Sequence, residues 1–347
     1  MLLTHHAGKV QCLGEMPWDE PGDCGWPDAR RVSRAIAKVK QQTQTGLMTS
    51  RDHQKFTGTR HIWRAMAARP ILIAQISDLH ITPPGVLAYG RVDTAAALAR
   101  LIAALNRLSP RPDLVVISGD VAESGLPAEY ERAKALLADL RIPYAVIPGN
   151  HDRRAPLRAV FGNADQAGDG PLNIRRELGP LDILLIDSTV PGAPHGELAP
   201  ATLDWLECAL ASSATRPALL FQHHPPFDTG IAYSDTMRLM NPEPLAELLA
   251  RHRRVLLVAA GHVHRAAQTI FAGVSASICP AGEQAATLEF ELRWPELFMI
   301  EPPAFHLHVW LPGEGLGSVV THVVPIGDFP GPYPYGNGGL RPPRFAA

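Results

Sequence analysis

Cysteine is scarce: Cys12, Cys24, Cys208 and Cys279 are spread over 347 residues and no two of them form a C-x-x-C pair. That spacing argues against a zinc-thiolate module or a disulfide framework, and it makes a reducing cytoplasm the default compartment. Long apolar runs are missing too. Nowhere do about 18 apolar residues follow one another, so no membrane-spanning helix is expected. The opening stretch MLLTHHAGKVQCLGEMPWDEPGD is broken by polar and charged residues within a few positions, and it lacks the apolar core of a secretion signal. A basic surplus is also absent: the formal charge is -2 and no long basic run occurs, so nothing in the electrostatics recruits nucleic acid or an anionic membrane. A small substrate fits better. What is present is 46% hydrophobic composition over a length that suits one large domain or two modest ones.

Residues 1–65 show neither strand alternation nor sustained helical periodicity, apart from a short polar helix over Ala29 to Gln42. We read them as a poorly ordered leader, with Met66 as the natural start. From residue 70 the grammar changes. The apolar runs ILIAQIS, DLVVIS, YAVIP, DILLID, ALLFQ and VLLVAA read as strands. Between them Asp93 to Leu108, Ala128 to Leu140 and Ala201 to Ala211 carry alanine and leucine at helical spacing, the last just after a proline suited to a first turn. Alternating strands and helices define an α/β domain, here over 66–327. After Gly273 the pattern turns to strands without long helices (VSASIC, ATLEFEL, AFHLHVW, SVVTHVV), which predicts a second sheet packed on the first. A proline- and glycine-rich tail occupies 328–347 and is expected to be extended or disordered.

Polar clusters follow five of these strands directly: Asp78-Leu79-His80, Gly119-Asp120, Gly149-Asn150-His151-Asp152, His223-His224 and Gly261-His262-Val263-His264. Loops beyond the carboxyl ends of strands in an open α/β sheet form its ligand crevice, so five such loops can meet at one point. Residues two apart in extended chain face the same side, which lets Asp78 and His80, and likewise His262 and His264, address one ion together. The glycines before these clusters permit unusual backbone angles and remove a side chain beside the ligands. Singly, a Gly-Asp pair is a turn and a strand histidine is a core or surface residue. Five clusters in a coherent order are a metal site.

Oxygen and imidazole donors without thiolate suit iron, manganese, zinc or cobalt rather than copper(I), calcium or magnesium. Asp78, His80, Asp120, Asn150, His223, His262 and His264 exceed the ligand number of one transition metal, so two ions with a bridging carboxylate are expected. Two divalent ions, two aspartates and a bridging hydroxide leave a formal charge of roughly +1, which attracts phosphate. Paired metals lower the pKa of bound water and stabilise attacking and leaving oxygens in an in-line displacement at phosphorus. The remaining histidines, including His195, His252, His306, His308 and His322, fit no such pattern and are read as structural or exposed.

In this order the motifs D-x-H, G-D, G-N-H-D, H-H-P-P and G-H-x-H resemble those of calcineurin-like metallophosphoesterases, over about residues 70 to 290. The stretches GDVAESGLPAEYERAKALLADLRIPYAVIPGNHDRR and QHHPPFDTG are similar to the class III cyclic nucleotide phosphodiesterase and glycerophosphodiesterase branch. The resemblance implies a four-layer α/β/β/α sandwich of two mixed sheets flanked by helices. It also implies Asp78, His80, Asp120 and His264 around one metal, and Asp120, Asn150, His223 and His262 around the other, with Asp120 as the bridge. His151 would reach the phosphate or protonate the departing oxygen, and Asp152 would orient that imidazole. His224 is left as a substrate or supporting contact, and Arg265 as either a phosphate contact or, the favoured reading, the partner of a surface acid. The expected reaction is metal-dependent hydrolysis of a small phosphodiester, a 3',5'-cyclic nucleotide such as cAMP or a glycerophosphodiester, by a metal-bridging hydroxide. Alternatives are a phosphomonoesterase or nuclease on the same metals, or a non-catalytic phosphate-binding scaffold. Neither nucleic acid nor membrane is an expected partner, and a homo-oligomer is compatible with the sequence. Asp228 to Asn241, straight after HHPPF, is expected to shape the entrance as a lid or a dimer contact.

Overall fold

The computed structural model describes residues 69–162, 170–292, 297–330 and 333. The leader over 1–65, its helix at Ala29 to Gln42, and the tail beyond 330 apart from Tyr333 lie outside the described residues.

The apolar runs become strands buried on both faces. In the first half, β1 (Ile71–Ile76), β2 (Leu114–Ser118) and β3 (Tyr144–Ile147) alternate with α1 (Thr94–Arg107), α2 (Pro127–Leu137) and α3 (Arg154–Phe161). The second half runs β4 (Ile174–Leu178), β5 (Leu181–Leu185), α4 (Pro200–Ala211), β6 (Ala218–Phe221), α5 (Ala232–Asp235), α6 (Glu243–Arg251), β7 (Val255–Ala260), β8 (Ala267–Phe271) and β9 (Val274–Ile278). A short pair, β10 (Gln284–Ala286) and β11 (Phe298–Ile300), precedes the long β12 (Ala304–Leu311) and β13 (Ser318–Pro325).

Two mixed sheets result, ordered β13-β12-β1-β2-β3 and β4-β5-β6-β7-β9-β8. Period-two alternation along each strand divides its side chains between two cores. On β1, Ile71 and Ile73 join Val116, Ile147, Ile183, Leu219, Phe221 and Leu257 in a layer between the sheets. Ala74 and Ile76 point the other way, toward Leu98 and Leu101 of α1 and Tyr130 and Leu137 of α2. The second sheet repeats the arrangement, turning Leu184, Leu220 and Val258 toward Leu206 and Leu210 of α4 and Leu245 and Leu248 of α6. This is the four-layer α/β/β/α sandwich expected from the motifs. Strands covered on both sides need apolar residues on both sides, which is why they read as unbroken runs.

Helix starts follow local chemistry. Asp93 caps α1 by accepting the Ala96 N–H at 3.0 Å. Pro127 opens α2, and the Glu129 carboxylate reaches back to the N–H groups of Ser124 and Leu126, both at 3.0 Å.

The strands after Gly273 do not form the separate sheet that their order suggested. β9 lies parallel to β7 in the second sheet, whereas β12 crosses over to pair antiparallel with β1, Ile71 opposite Trp310. Each sheet is completed by late strands, because a free edge is best closed by whichever segment can reach it, whatever its place in sequence. ATLEFEL also departs from expectation: only its first residue, Ala286, lies in a strand, the Gln284–Ala286 strand paired with Phe298–Ile300, and Leu288, Phe290 and Leu292 are exposed. Among the described residues no helix is long and apolar enough to cross a membrane.

Candidate metal centre

The site forms where β1, β2 and β3 of one sheet and β6 and β7 of the other end side by side. Beyond the strands the β1 and β2 loops stay zipped by backbone bonds, Asp78 N–H to Gly119 carbonyl at 3.1 Å and His80 N–H to Asp120 carbonyl at 2.8 Å. The Thr94 hydroxyl donates to the His80 carbonyl at 2.9 Å, fastening α1 to the same loop.

Asp78, His80, Asp120, His262 and His264 all have positive φ, between 44° and 74°. Non-glycine residues in this region carry roughly 1–3 kcal/mol of strain each, and such strain collects at functional sites. The two-apart spacing therefore works through left-handed turns after the strands, not through the extended pleat we expected. Gly119, at φ 106°, is one position where glycine is required for conformation as well as space.

All seven predicted ligands come together. His80 Nε2 is 3.0 Å from His264 Nε2 and 3.6 Å from Asp120 Oδ2, and His264 Nε2 is 3.4 Å from Asp78 Oδ1. On the other side, His223 Nε2 is 3.3 Å from the same Asp120 Oδ2 and 3.0 Å from Asn150 Oδ1. Asp78 also accepts the His262 backbone N–H on both oxygens at 3.1 Å. His262 Nε2 is buried with no partner, a nitrogen that only an added ligand would satisfy. The second ring nitrogens are committed elsewhere: His223 Nδ1–H donates to the Ser118 carbonyl at 2.8 Å and His80 Nδ1–H to Glu123 Oε2 at 2.7 Å. Fixing the tautomer in this way turns the Nε2 lone pair toward a cation. Asp78, His80, Asp120 and His264 offer one convergent donor set, and His223, His224 and His262 another.

Protonation states point the same way. Burial raises Asp78, but His264 outweighs it and brings the carboxyl to about 2. Burial likewise opposes ionisation of Asp120, and His223 beside it holds it well below the usual carboxylate range. Burial, reinforced by His223, pushes His262 down to about 3. His223 is the exception: burial lowers it, yet the Asp120 and Asp78 carboxylates raise it to about 9, so a proton leaves when a cation takes its place. The residues present fit divalent ions of the kind that accept carboxylate, amide and imidazole donors.

Around this centre the structure corrects one role and adds a residue. His151 lines the cavity, and its Nδ1–H donates to the Glu123 carbonyl at 2.7 Å. Asp152, expected to orient that ring, instead accepts the backbone N–H groups of Gly149, Val121 and Ala122 at 2.9, 3.1 and 3.1 Å. It clamps the β2 and β3 loops together. The Tyr130 hydroxyl also bonds this carboxylate, while the His151 ring turns its Nδ1–H to the Glu123 carbonyl instead. Burial and the nearby Asp120 charge raise Asp152 to about 6 against those three bonds. Glu123 does the orienting, by its side chain for His80 and by its carbonyl for His151. Pattern reading missed it because a lone loop acid has no periodic signal; the requirement that a metal-binding histidine have a partner for its far N–H was the available clue. Arg265 bonds the Ala286 carbonyl at 2.6 Å and pairs with Glu301, in line with a surface-acid partner.

A cavity of about 360 Å³ opens over the centre. Its outer wall is apolar and aromatic: Tyr89, Met237, Leu297 and Phe298, with Tyr233 beside them. Tyr233 and Met237 come from the Asp228 to Asn241 segment, which therefore shapes the entrance as expected. His306 and His308 are fully buried, and His308 Nε2 bonds Gln75 Oε1 at 3.0 Å.

A four-layer sandwich with this donor array at its strand ends defines a metallophosphoesterase. The family model for calcineurin-like phosphoesterases matches residues 71–266, and the chain belongs to that family. It is 36% identical over 269 residues to a protein of Arcobacter nitrofigilis named probable glycerophosphodiester phosphodiesterase GpdQ, covering 77% of this chain and 97% of that one. It is 31% identical over 207 residues to the 3',5'-cyclic adenosine monophosphate phosphodiesterase CpdA of Pseudomonas aeruginosa, covering 60% and 74%. Among solved structures, a dimetal phosphatase from Danio rerio shares the fold with a TM-score of 0.51 at 16% identity, covering 74% of this chain and 99% of that one.

Proposed function

We propose that the chain hydrolyses small phosphodiesters on a pair of divalent ions, with iron, manganese, zinc and cobalt as the fitting metals. Asp78, His80, Asp120 and His264 hold one ion; Asp120, Asn150, His223 and His262 hold the other. The observation that carries this reading is the single oxygen Asp120 Oδ2, which lies 3.6 Å from His80 Nε2 and 3.3 Å from His223 Nε2 and so is placed between the two groups of donors. Divalent ions bound there lower the pKa of water and neutralise charge developing on phosphoryl oxygens.

The protein's own groups do the rest. Because the His151 Nδ1–H is committed to the Glu123 carbonyl, Nε2 is the nitrogen left for a phosphoryl or leaving oxygen. Burial lowers this imidazole, but the Asp120 charge and the bond to the Glu123 carbonyl outweigh it and raise it from its ordinary value, which favours the protonated form that a general acid requires. The His151 backbone N–H donates to Asp120 Oδ1 at 2.8 Å, which leaves Oδ2 to the metals. Among the described residues the polar groups lining the cavity are proposed metal ligands, His151, Gln284 and the tyrosines, so the metals and His151 are the groups placed to meet the phosphate charge. The apolar outer wall suits the organic leaving group of a diester better than a bare phosphate. Both relatives' substrate classes, glycerophosphodiesters and cyclic nucleotides, meet that description.

The test is hydrolysis of bis(p-nitrophenyl) phosphate by metal-stripped, manganese-reconstituted and Asn150→Ala protein at matched metal content, with bound metal counted per chain. Turnover that requires manganese and falls at least about 100-fold in the variant is expected. Folded, metal-loaded protein that cleaves p-nitrophenyl phosphate but no diester would replace this reading with a monoesterase.

A further inference from the structure

His224 follows a proposed ligand directly and is fully buried, its ring 4.9 Å from that of His223 and 4.7 Å from that of His262. Such neighbours suggest a further metal ligand, but both of its nitrogens are already engaged. Nε2 lies 3.2 Å from the Pro194 carbonyl oxygen and Nδ1 lies 2.9 Å from Ser188 Oγ. A carbonyl only accepts, so Nε2 carries the proton and donates it; Nδ1 then accepts from the Ser188 hydroxyl. The same Ser188 oxygen receives the His224 backbone N–H at 3.2 Å, which closes the set with every donor matched to an acceptor.

What this ring holds is the loop between β5 and α4. Pro194 lines the cavity. Two residues on, Gly196 donates to the Arg238 carbonyl at 3.1 Å and accepts the Met240 N–H at 2.8 Å, joining the loop to the segment that supplies Tyr233 and Met237. Gly196 lies so close to the imidazole that a Cβ there would meet His224 Cβ at 2.7 Å. The start of the loop is anchored separately: Arg154 bonds Asp187 at 2.7 and 3.2 Å and the Thr189 carbonyl at 2.8 Å. One continuous connection thus runs from the His223 strand end, through His224, to the outer wall of the cavity.

We propose that His224 is a positioning residue that holds the Pro194 loop, and with it Tyr233 and Met237, at a set distance from the metal ligands, and so governs affinity for the leaving group. The proposal rests on the phosphodiesterase reading above. His224 acts through the wall and touches neither metal nor phosphate.

The test uses full-length, manganese-loaded enzyme carrying His224→Phe, which keeps the volume and removes both bonds, or His224→Gln, which can restore a donor to Pro194. Ser188→Ala removes the Nδ1 partner without altering a neighbour of His223 in sequence. We expect KM for bis(p-nitrophenyl) phosphate to rise about five- to tenfold in His224→Phe, with kcat within about twofold and metal content unchanged, and the glutamine variant to recover part of the loss. Amide hydrogen exchange should accelerate in residues 189–197 and 229–240 of His224→Phe and Ser188→Ala, while β6 stays protected. Exchange needs no turnover, so a wild-type enzyme inert toward diesters would sink the functional reading and leave the His224 assignment decided by exchange alone. Loss of bound metal in His224→Gln would make it a ligand. Unchanged exchange in both segments, or a fall in kcat at constant KM, would make it an ordinary core residue; either result overturns the proposal.

Discussion

Gly149→Ala isolates the packing of the metal centre from its donor chemistry, because the substitution adds one methyl group and removes no ligand. The backbone at Gly149 does not have positive φ, so alanine meets no conformational penalty there. Space is the difficulty: an added Cβ would lie 2.7 Å from His223 Cε1, 2.5 Å from the Asp120 backbone nitrogen and closer still to Asp120 Oδ1. Carbon atoms in contact prefer about 3.5–4.0 Å, so His223 or the loop must yield by roughly 1 Å. All three atoms belong to the residues between the two donor sets. A misplacement of about 1 Å in such a constellation lowers turnover on the order of 100-fold, and overpacking adds a stability loss of about 1–3 kcal/mol. The assay is kcat for bis(p-nitrophenyl) phosphate together with manganese content and urea unfolding, set against Gly170→Ala, where an added Cβ meets nothing within 4 Å. Wild-type turnover and metal content in Gly149→Ala would refute the steric argument and the assignment of Asp120 and His223 to a shared centre.

Asp152→Asn should destabilise the fold by about 1–3 kcal/mol, since one amide oxygen cannot serve three converging N–H donors, while the pH profile of kcat keeps its shape. Urea unfolding and a pH–rate series check this; unchanged stability with a displaced profile would restore the role of orienting His151. A third prediction concerns acid. Burial pushes His306 to about 4 and holds His308, also by burial, well below the ordinary range. The unfolded imidazole, near pKa 6.5, binds a proton that the folded one refuses, so stability is fully present above about 6.5 and is lost as pH falls toward 4. His306 alone should account for about 2 kcal/mol between pH 7 and pH 5. Metal-stripped wild type and His306→Phe, unfolded in urea at both values, should differ by that amount; equal losses would show that His306 is not buried neutral.

Much of the candidate site was legible from sequence because its polar clusters sit immediately after apolar runs, and both features are local. Asp78, His80, Asp120, Asn150, His223, His262 and His264 could be named before any coordinates, since strand ends in an α/β sheet converge by rule. The helices α1, α2 and α4 were legible for the same reason, their periodicity being written within a dozen residues. Asp152 was misread because the family resemblance implied a contact with the His151 imidazole, whereas its carboxylate turns to backbone donors supplied by another loop. Glu123 was missed because its partners, His80 and His151, are distant in sequence and its carbonyl contribution is identical for any residue type.

The sequence by itself determined which segments are strands and helices, which side chains are apolar and which residues can bind metal, because these depend on near neighbours and intrinsic chemistry. Only the tertiary structure decided that β12 closes the first sheet and β9 extends the second, that Asp78, His80, Asp120, His262 and His264 adopt left-handed backbone, and that one Asp120 oxygen lies near both His80 and His223. Strand pairing joins Ile71 to Trp310 across most of the described chain, and no local propensity records that choice. It is settled when free edges and apolar faces compete for burial together.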